Sequence, residues 1–166
     1  MSMTWKIAFL QQAYSDYKLF LHLQQDAAPF CHQLHYLQMT TEKLAKGYLA
    51  YDNNRPEQIH NVFLKFMRSI RGNPELSRLY GCSPRQFREF IDSLLPLAKQ
   101  LEEVAPAGGK DKPNAEYPWE LDNSIYVPAT YNFPGLSFTG VQMIKMLKSI
   151  ELYFRLLEDD MKYLND

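Results

Sequence analysis

The chain has 166 residues, of which 46% are hydrophobic and 14% aromatic, a composition of a globular domain rather than a disordered segment. Its 18 basic and 19 acidic side chains leave a net charge of -1, which excludes general attraction to nucleic acid or anionic membrane over the whole surface. Two cysteines and no long apolar run predict a cytoplasmic protein that is neither secreted nor inserted in a membrane.

The N-terminal part of the chain predicts two long helices. From Thr4 to Gln25 there is no proline or glycine, and apolar side chains recur on a broad face. A second helix is predicted after Asp26, which suits an N-cap position. Its apolar stripe alternates spacings of four and three residues and consists of Phe30, Leu34, Leu37, Thr41, Leu44 and Tyr48.

Three further helices are predicted downstream. The third begins at Pro56, a residue suited to the first helical turn, and a short helical piece follows near residues 75–80. The fourth begins at Ser83 with a capping box and should kink at Pro96. The fifth covers most of the chain after residue 137, again with apolar spacings of four and three.

The segment from Ala105 to Ser137 lacks helical periodicity and is too long for an ordinary connection. Between its prolines lie Tyr117, Trp119, Ile125, Tyr126, Val127, Tyr131 and Phe133. An adjacent helical bundle would bury such side chains rather than leave them in water. We therefore predict a single all-α domain over residues 1–166, an up-and-down bundle of about five helices with an ordered aromatic- and proline-rich flap before the last helix.

Short motifs occur along these elements in a recognisable order. They are Asp16 in the first helix, Gln38, Glu42-Lys43 and Lys46 in the second, His60 at the start of the third, and Tyr117-Pro118 before the last. With this order and placement, the chain resembles the HEPN family, the nucleotide-binding domain named from higher eukaryotes and prokaryotes. The resemblance covers about residues 13–157, nearly the whole chain.

The resemblance implies a helical bundle that often dimerises and that works beside a nucleotidyltransferase in some toxin-antitoxin pairs. The nucleotide-binding residues that it implies are Gln38, Glu42, Lys43, Lys46 and Tyr117. The family commonly has arginine before the tyrosine of its Tyr-Pro motif, whereas this chain has Glu116. That departure removes one phosphate-binding cation from the expected set.

Some branches of the family cleave RNA without a metal, using arginine followed after four to six residues by histidine. Arg55 and His60 fit that spacing. In such an endoribonuclease His60 would act as acid or base, while Arg55 would hold the phosphate through paired donors. Pro56 biases Arg55 to an extended conformation outside the helix. The alternative is that His60 caps or packs at a helix start.

A polar stripe on the second helix leaves its role open. It adjoins the apolar stripe and consists of Cys31, His35, Gln38, Glu42 and Ala45. It suits a dimer seam or a ligand groove, or else a solvated surface on which Glu42 and Lys46 form a modest helix-stabilising pair.

Basic residues are concentrated between positions 60 and 88, where Glu75 alone opposes Lys65, Arg68, Arg71, Arg78, Arg85 and Arg88. These cations form either a side that binds RNA or nucleotide phosphates, or a set of scattered solvated residues.

Metal chemistry is not predicted. Glu57 and His60 have the i, i+3 spacing of di-iron bundles, but a di-iron site needs a second such pair, and the sequence has none. No other cofactor is predicted. The sequence favours a homodimeric HEPN-like module that interacts with a nucleotide or RNA and pairs with a nucleotidyltransferase. The alternatives are a non-catalytic bundle for protein-protein interaction and the metal-independent ribonuclease.

Overall fold

A computed structural model describes residues 4–50, 62–105 and 112–162, with side chains described as far as Arg155. The helices are α1 (Trp5–Gln25), α2 (Phe30–Leu49), α3 (Phe63–Ile70), α4 (Pro74–Leu79), α5 (Pro84–Glu103) and α6 (Val141–Lys162). Between α5 and α6 lie the antiparallel strands β1 (Trp119–Leu121) and β2 (Ser124–Tyr126) and a 3-10 turn at Pro128–Thr130. The predicted all-α bundle with a flap before the last helix is confirmed.

Helices α1 and α2 form a tightly packed antiparallel pair. Thr4 caps α1 by accepting a hydrogen bond from the Ile7 N–H at 3.3 Å. Gly47 allows close approach, because a Cβ at this position would stand 2.7 Å from Cγ of Leu10 and 3.2 Å from the Lys6 carbonyl oxygen. A side chain at position 47 would therefore push the two helices apart.

The prediction that Asp26 caps α2 is wrong. Asp26 ends α1 instead, and its backbone N–H donates to the His22 carbonyl at 3.0 Å. Ala27 follows with a φ of 50°, which turns the chain at once. Pro29 then precedes α2, and no side-chain hydrogen bond caps that helix. Asp26 is therefore too early in the chain to serve the second helix.

The fourth predicted helix begins as expected. In α5 the Ser83 hydroxyl accepts from the Gln86 N–H at 3.3 Å, and the Ser83 N–H donates to the Gln86 side chain at 2.9 Å. Pro96 lies inside the helix. The short predicted piece is α4, and the third predicted helix is described as α3. Its predicted start at Pro56 lies outside the described residues.

The flap places large rings in the core of the bundle. Trp119 and Phe133 are almost fully buried, and the Trp119 ring packs against Tyr126 and Tyr131 at centroid distances of 5.7 and 4.8 Å. The predicted ordered flap is confirmed for these residues.

Other apolar side chains of the flap differ from expectation. Tyr117, Ile125 and Val127 are 56, 77 and 46% exposed. Ile125 is exposed because side chains alternate along a strand: Trp119 and its half-buried cross-strand partner Tyr126 face the bundle, and Ile125 lies on the opposite face.

Within the described ranges, none of the helices has both the length and the apolar character that crossing a bilayer requires.

Candidate functional site

Three of the predicted nucleotide-binding residues are buried on α2. Gln38, Glu42 and Lys46 are 3, 6 and 8% exposed. The Lys46 ammonium donates to Oε1 of Glu42 at 2.7 Å, and the Gln38 amide donates to Oε2 of Glu42 at 3.1 Å. The Lys46 ammonium also lies 5.9 Å from the centre of the Phe9 ring. These groups are therefore held by partners inside the protein.

A second ion pair joins the two helices. Lys43 on α2 donates to Oδ2 of the buried Asp16 on α1, and Gln12 donates to Oδ1 of the same carboxylate at 3.0 Å. We call the six residues Gln12, Asp16, Gln38, Glu42, Lys43 and Lys46 the α1–α2 polar network.

Helical spacing explains which residues join the network. Gln38, Glu42 and Lys46 follow one another at intervals of four, so they share one face of α2. Gln12 and Asp16 are related in the same way on α1. Gln12 was not among the predicted site residues, although it lies four residues before Asp16 and therefore on the same face of α1.

The charges of the network cancel. Two carboxylates, Asp16 and Glu42, oppose two ammonium groups, Lys43 and Lys46. Among the described residues, the network therefore holds as many carboxylates as ammonium groups. Burying such pairs costs desolvation energy that the attraction repays only with good geometry, and removal of one partner leaves an uncompensated charge. The Lys43–Asp16 pair thus links α1 to α2, whereas the contacts among Gln38, Glu42 and Lys46 lie within α2.

The burial also decides one alternative for the polar stripe of α2. Cys31, Gln38, Glu42 and Ala45 are all buried. A plain solvated surface is therefore the wrong interpretation for this stripe. His35 is half-buried and contacts the flap.

The flap holds Tyr117 beside the N-terminal half of α2. The buried Asn114 side chain accepts hydrogen bonds from the backbone N–H groups of Glu116 and Tyr117 at 3.0 and 2.6 Å. Glu116 Oε2 lies 3.8 Å from Nδ1 of His35, within ion-pair range when the imidazole is protonated. A hydrogen bond from the Tyr117 hydroxyl to the Glu116 carboxylate, and the charge of that carboxylate, raise the pKa of Tyr117. The Tyr117 ring is thus an exposed aromatic surface on a fixed backbone.

The structure brings the predicted site residues together only in part. Gln38, Glu42, Lys43 and Lys46 share the network, whereas Tyr117 lies apart from it on the flap. Arg55 and His60 lie outside the described residues. Among the residues that are described, no group of three or more His, Cys, Asp or Glu side chains could hold a metal ion.

The basic residues between positions 60 and 88 divide into two groups. Arg71 and Arg85 are paired, the first with Asp92 at 2.7 Å and the second with Glu89 at 2.9 Å. The others are exposed on α3, α4 and α5 and form no ion pair with a described residue: Lys65, Arg68, Arg78 and Arg88. We call these four residues the basic surface. The helices that carry them pack together, α3 and α4 each against α5.

A cleft of about 350 Å³ lies between the C-terminal end of α5 and the flap and contains none of the predicted site residues. Its lining mixes one acid and one base, Glu103 and Lys112, with apolar side chains such as Phe133.

The chain matches no protein-family model, and comparisons with curated proteins and with solved structures give no match. The resemblance to the HEPN family therefore stays a prediction.

Proposed function

We propose that this chain is a HEPN-like helical module that interacts with RNA or nucleotides, and that it works in the cytoplasm as a homodimer paired with a nucleotidyltransferase in a toxin-antitoxin-like system. The observation that carries the proposal is the basic surface. Lys65, Arg68, Arg78 and Arg88 remain exposed and without ion pairs to described residues, in a chain whose net charge is -1. Such a local excess of positive charge attracts phosphates although the whole molecule does not.

The α1–α2 polar network has a supporting role in this proposal. Its Asp16–Lys43 pair links α1 to α2, and Gln38, Glu42, Lys43 and Lys46 stay the predicted nucleotide-binding residues. Tyr117 supports the proposal in another way, since an exposed ring on a fixed backbone can stack on an unpaired base.

The test is the salt dependence of RNA binding. We expect wild-type protein to bind a single-stranded RNA of about 20 nucleotides in fluorescence anisotropy at about 50 mM salt, with an affinity that falls as salt rises. Replacing Lys65, Arg68, Arg78 and Arg88 together by Gln should weaken binding and reduce the slope of log affinity against log salt by about 0.7 for each phosphate that the variant no longer neutralises. Lys99→Gln is the matched control, because Lys99 is exposed but lies 3.6 Å from Glu103. No binding by the wild type, or an unchanged slope in the fourfold variant, would refute the proposal.

The ribonuclease alternative depends on Arg55 and His60. If the protein cleaves RNA, His60→Ala should slow cleavage by about a hundredfold or more, as loss of an acid-base group does, and leave the helical circular dichroism unchanged. Equal RNA turnover by both proteins would leave binding without catalysis.

A specific observation favours the protein-interaction alternative as well. The β1–β2 hairpin exposes Leu121, Ile125 and Val127, which are apolar. If RNA binding fails and Ile125→Lys disrupts a stable protein complex purified from cells, that alternative replaces the proposal.

A further inference from the structure

A groove between α4 and α6 carries charged and apolar side chains that belong to none of the sites described above. Its volume is about 400 Å³, the size of a small-molecule site. Its lining consists of Leu79, Tyr80, Lys148, Glu151, Leu152 and Arg155.

The groove has two cations on one helix. Lys148 and Arg155 are exposed, and neither forms an ion pair with a described residue. They are seven residues apart on α6, which places their backbones about 10.5 Å apart along the same side of the helix. Long side chains at that separation can reach one anion from its two sides, and arginine adds paired donors that match a phosphate.

A carboxylate lies between the two cations. The Tyr17 hydroxyl donates to Oε1 of Glu151 at 2.9 Å, which fixes the carboxylate against α1. Burial, this hydrogen bond and the charge of Glu151 raise the pKa of Tyr17, so the phenol stays a donor. A fixed carboxylate repels a phosphate that approaches it directly. However, a carboxylate is the acceptor that nucleotide sites use for ribose hydroxyls.

The remaining walls of the groove are apolar and ordered. The Tyr80 hydroxyl shares a 2.6 Å hydrogen bond with the Ser149 hydroxyl, and its ring packs against Phe90 at a centroid distance of 4.9 Å. Leu79 is 47% exposed beside it. Leu152 completes an apolar surface of the kind that receives a flat base.

We propose that the α4–α6 groove binds one ribonucleotide unit, either free or in an RNA chain. Lys148 and Arg155 hold its phosphate, and Glu151 accepts a hydrogen bond from its ribose. The base lies on Leu79 and Tyr80. This inference rests on the proposed interaction with RNA or nucleotides. It assigns that interaction a binding site for one ribonucleotide.

The first test uses isothermal titration calorimetry of the full chain with adenosine 5′-monophosphate, its 2′-deoxy analogue and inorganic phosphate. The ribonucleotide should bind more tightly than the deoxy analogue, by about tenfold for a charge-assisted hydrogen bond. The double variant Lys148→Ala/Arg155→Ala should weaken both the ribonucleotide and phosphate by at least about tenfold. Lys99→Ala is the charge-matched control outside the groove and should change neither.

Glu151→Gln separates the sugar contact from the phosphate contact. Removing a negative charge should leave phosphate binding equal or tighter, while the preference for ribose over deoxyribose falls. A thermal unfolding scan of each variant shows whether it is folded. Equal binding of the two sugars by the wild type, or loss of phosphate affinity in Glu151→Gln, would overturn the assignment.

One further comparison answers two separate questions. The first is whether the bound ribonucleotide is free or part of an RNA chain, and the second is whether the proposed function holds. If a short 5′-phosphorylated RNA competes with the free nucleotide and loses affinity in the double variant, the ligand of the groove is an RNA chain. If the free nucleotide alone binds, the ligand is a mononucleotide. If the fourfold basic-surface variant weakens RNA binding and the double variant does not, the groove is rejected as the binding site and the proposed function is kept. A wild type that binds neither RNA nor nucleotide would reject both. A phosphoserine peptide that displaces the nucleotide with higher affinity would reject the groove as a nucleotide site.

Discussion

The hydroxyl group of Tyr153 is buried and has no hydrogen-bond partner among the described residues. Its ring packs on Phe66 at a centroid distance of 5.2 Å, and burial keeps the pKa of the phenol well above its ordinary value. A buried donor without a partner costs the desolvation of that group.

Tyr153→Phe should therefore stabilise the protein by about 1 kcal/mol, because the ring stays and the unpaired hydroxyl is removed. Urea unfolding followed by circular dichroism measures the change. Tyr17→Phe is the matched control, since that hydroxyl is bonded to Glu151 and its loss should cost about 1 kcal/mol. Destabilisation by Tyr153→Phe would show that this hydroxyl is satisfied in solution.

Glu102 gives the protein a predictable response to pH. Its carboxylate accepts a hydrogen bond from the Leu64 N–H at 2.7 Å, at the start of α3, and burial raises its pKa above the ordinary value of 4.5. As pH rises above that value, the unfolded chain loses this proton before the folded one does. The contribution of Glu102 to stability is therefore full below pH 4.5 and declines as pH rises through the folded-state pKa.

Glu102→Gln removes this titration while keeping an oxygen acceptor for Leu64. We expect the free energy of unfolding of the variant, relative to wild type, to increase between about pH 4 and about pH 7 in urea titrations. A difference for Glu102→Gln that falls as pH rises would contradict the assignment.

At the scale of the helical pair, Gly47 sets how closely α1 and α2 approach. Gly47→Ala places a Cβ 2.7 Å from Leu10, so overpacking of about 1–3 kcal/mol should exceed the helix propensity gained. Gly72→Ala makes the same chemical change where no atom lies within 4 Å of the new Cβ, and it should be neutral or stabilising. Thermal unfolding of the two variants gives the comparison. Equal melting temperatures would mean that the helices can separate without cost.

The Glu42–Lys46 ion pair within α2 offers a test of the polar network. Glu42→Gln leaves the buried Lys46 ammonium without its countercharge and should destabilise the protein by about 3 kcal/mol. Adding Lys46→Met should restore most of that loss, because it removes the unpaired charge. Glu89→Gln breaks the exposed pair with Arg85 and should cost less than about 1 kcal/mol. If Glu42→Gln and Glu89→Gln lower the free energy of unfolding in urea by the same amount, the Glu42–Lys46 pair does not behave as a buried ion pair.

Several elements could be predicted from the sequence because their signals are local. The uninterrupted run before Asp26 predicts α1, and the Ser83 capping box predicts the start of α5. The β1–β2 hairpin was missed, although its turn residues Asp122 and Asn123 are types that tolerate the positive φ values of 50° and 57° found there. Three-residue strands are too short to show an alternating pattern.

Only the parts of the candidate site that a single helix positions could be predicted from the sequence. Intervals of four place Gln38, Glu42 and Lys46 on one face, but they do not reveal that this face is buried. Likewise, nothing local pairs Lys43 with Asp16 or brings Glu116 to His35, because those contacts depend on how distant segments pack. The α4–α6 groove is a tertiary feature for the same reason.

At the scale of the whole molecule, exposed apolar side chains support the predicted homodimer. Trp5 and Leu19 on α1 are 40 and 37% exposed, and Ile125 on the hairpin is 77% exposed. We expect light scattering at tens of micromolar to give the mass of two chains. If Ile125→Lys or Trp5→Lys reduces that mass to one chain, the substituted residue lies in the dimer interface. A wild-type mass of 19.5 kDa would contradict the prediction.

The hydrogen bond from Tyr17 to Glu151 joins residues 134 positions apart, whereas α1 and α2 are neighbours in the chain. Local contacts close small loops and form quickly, and distant ones close late. Folding should therefore begin with the α1–α2 pair and end with the docking of α6 onto it. Because Lys148, Glu151 and Arg155 all belong to α6, an intermediate that lacks the docked helix has an ordered N-terminal pair and no groove. In refolding experiments, recovery of nucleotide binding should lag behind recovery of helical circular dichroism.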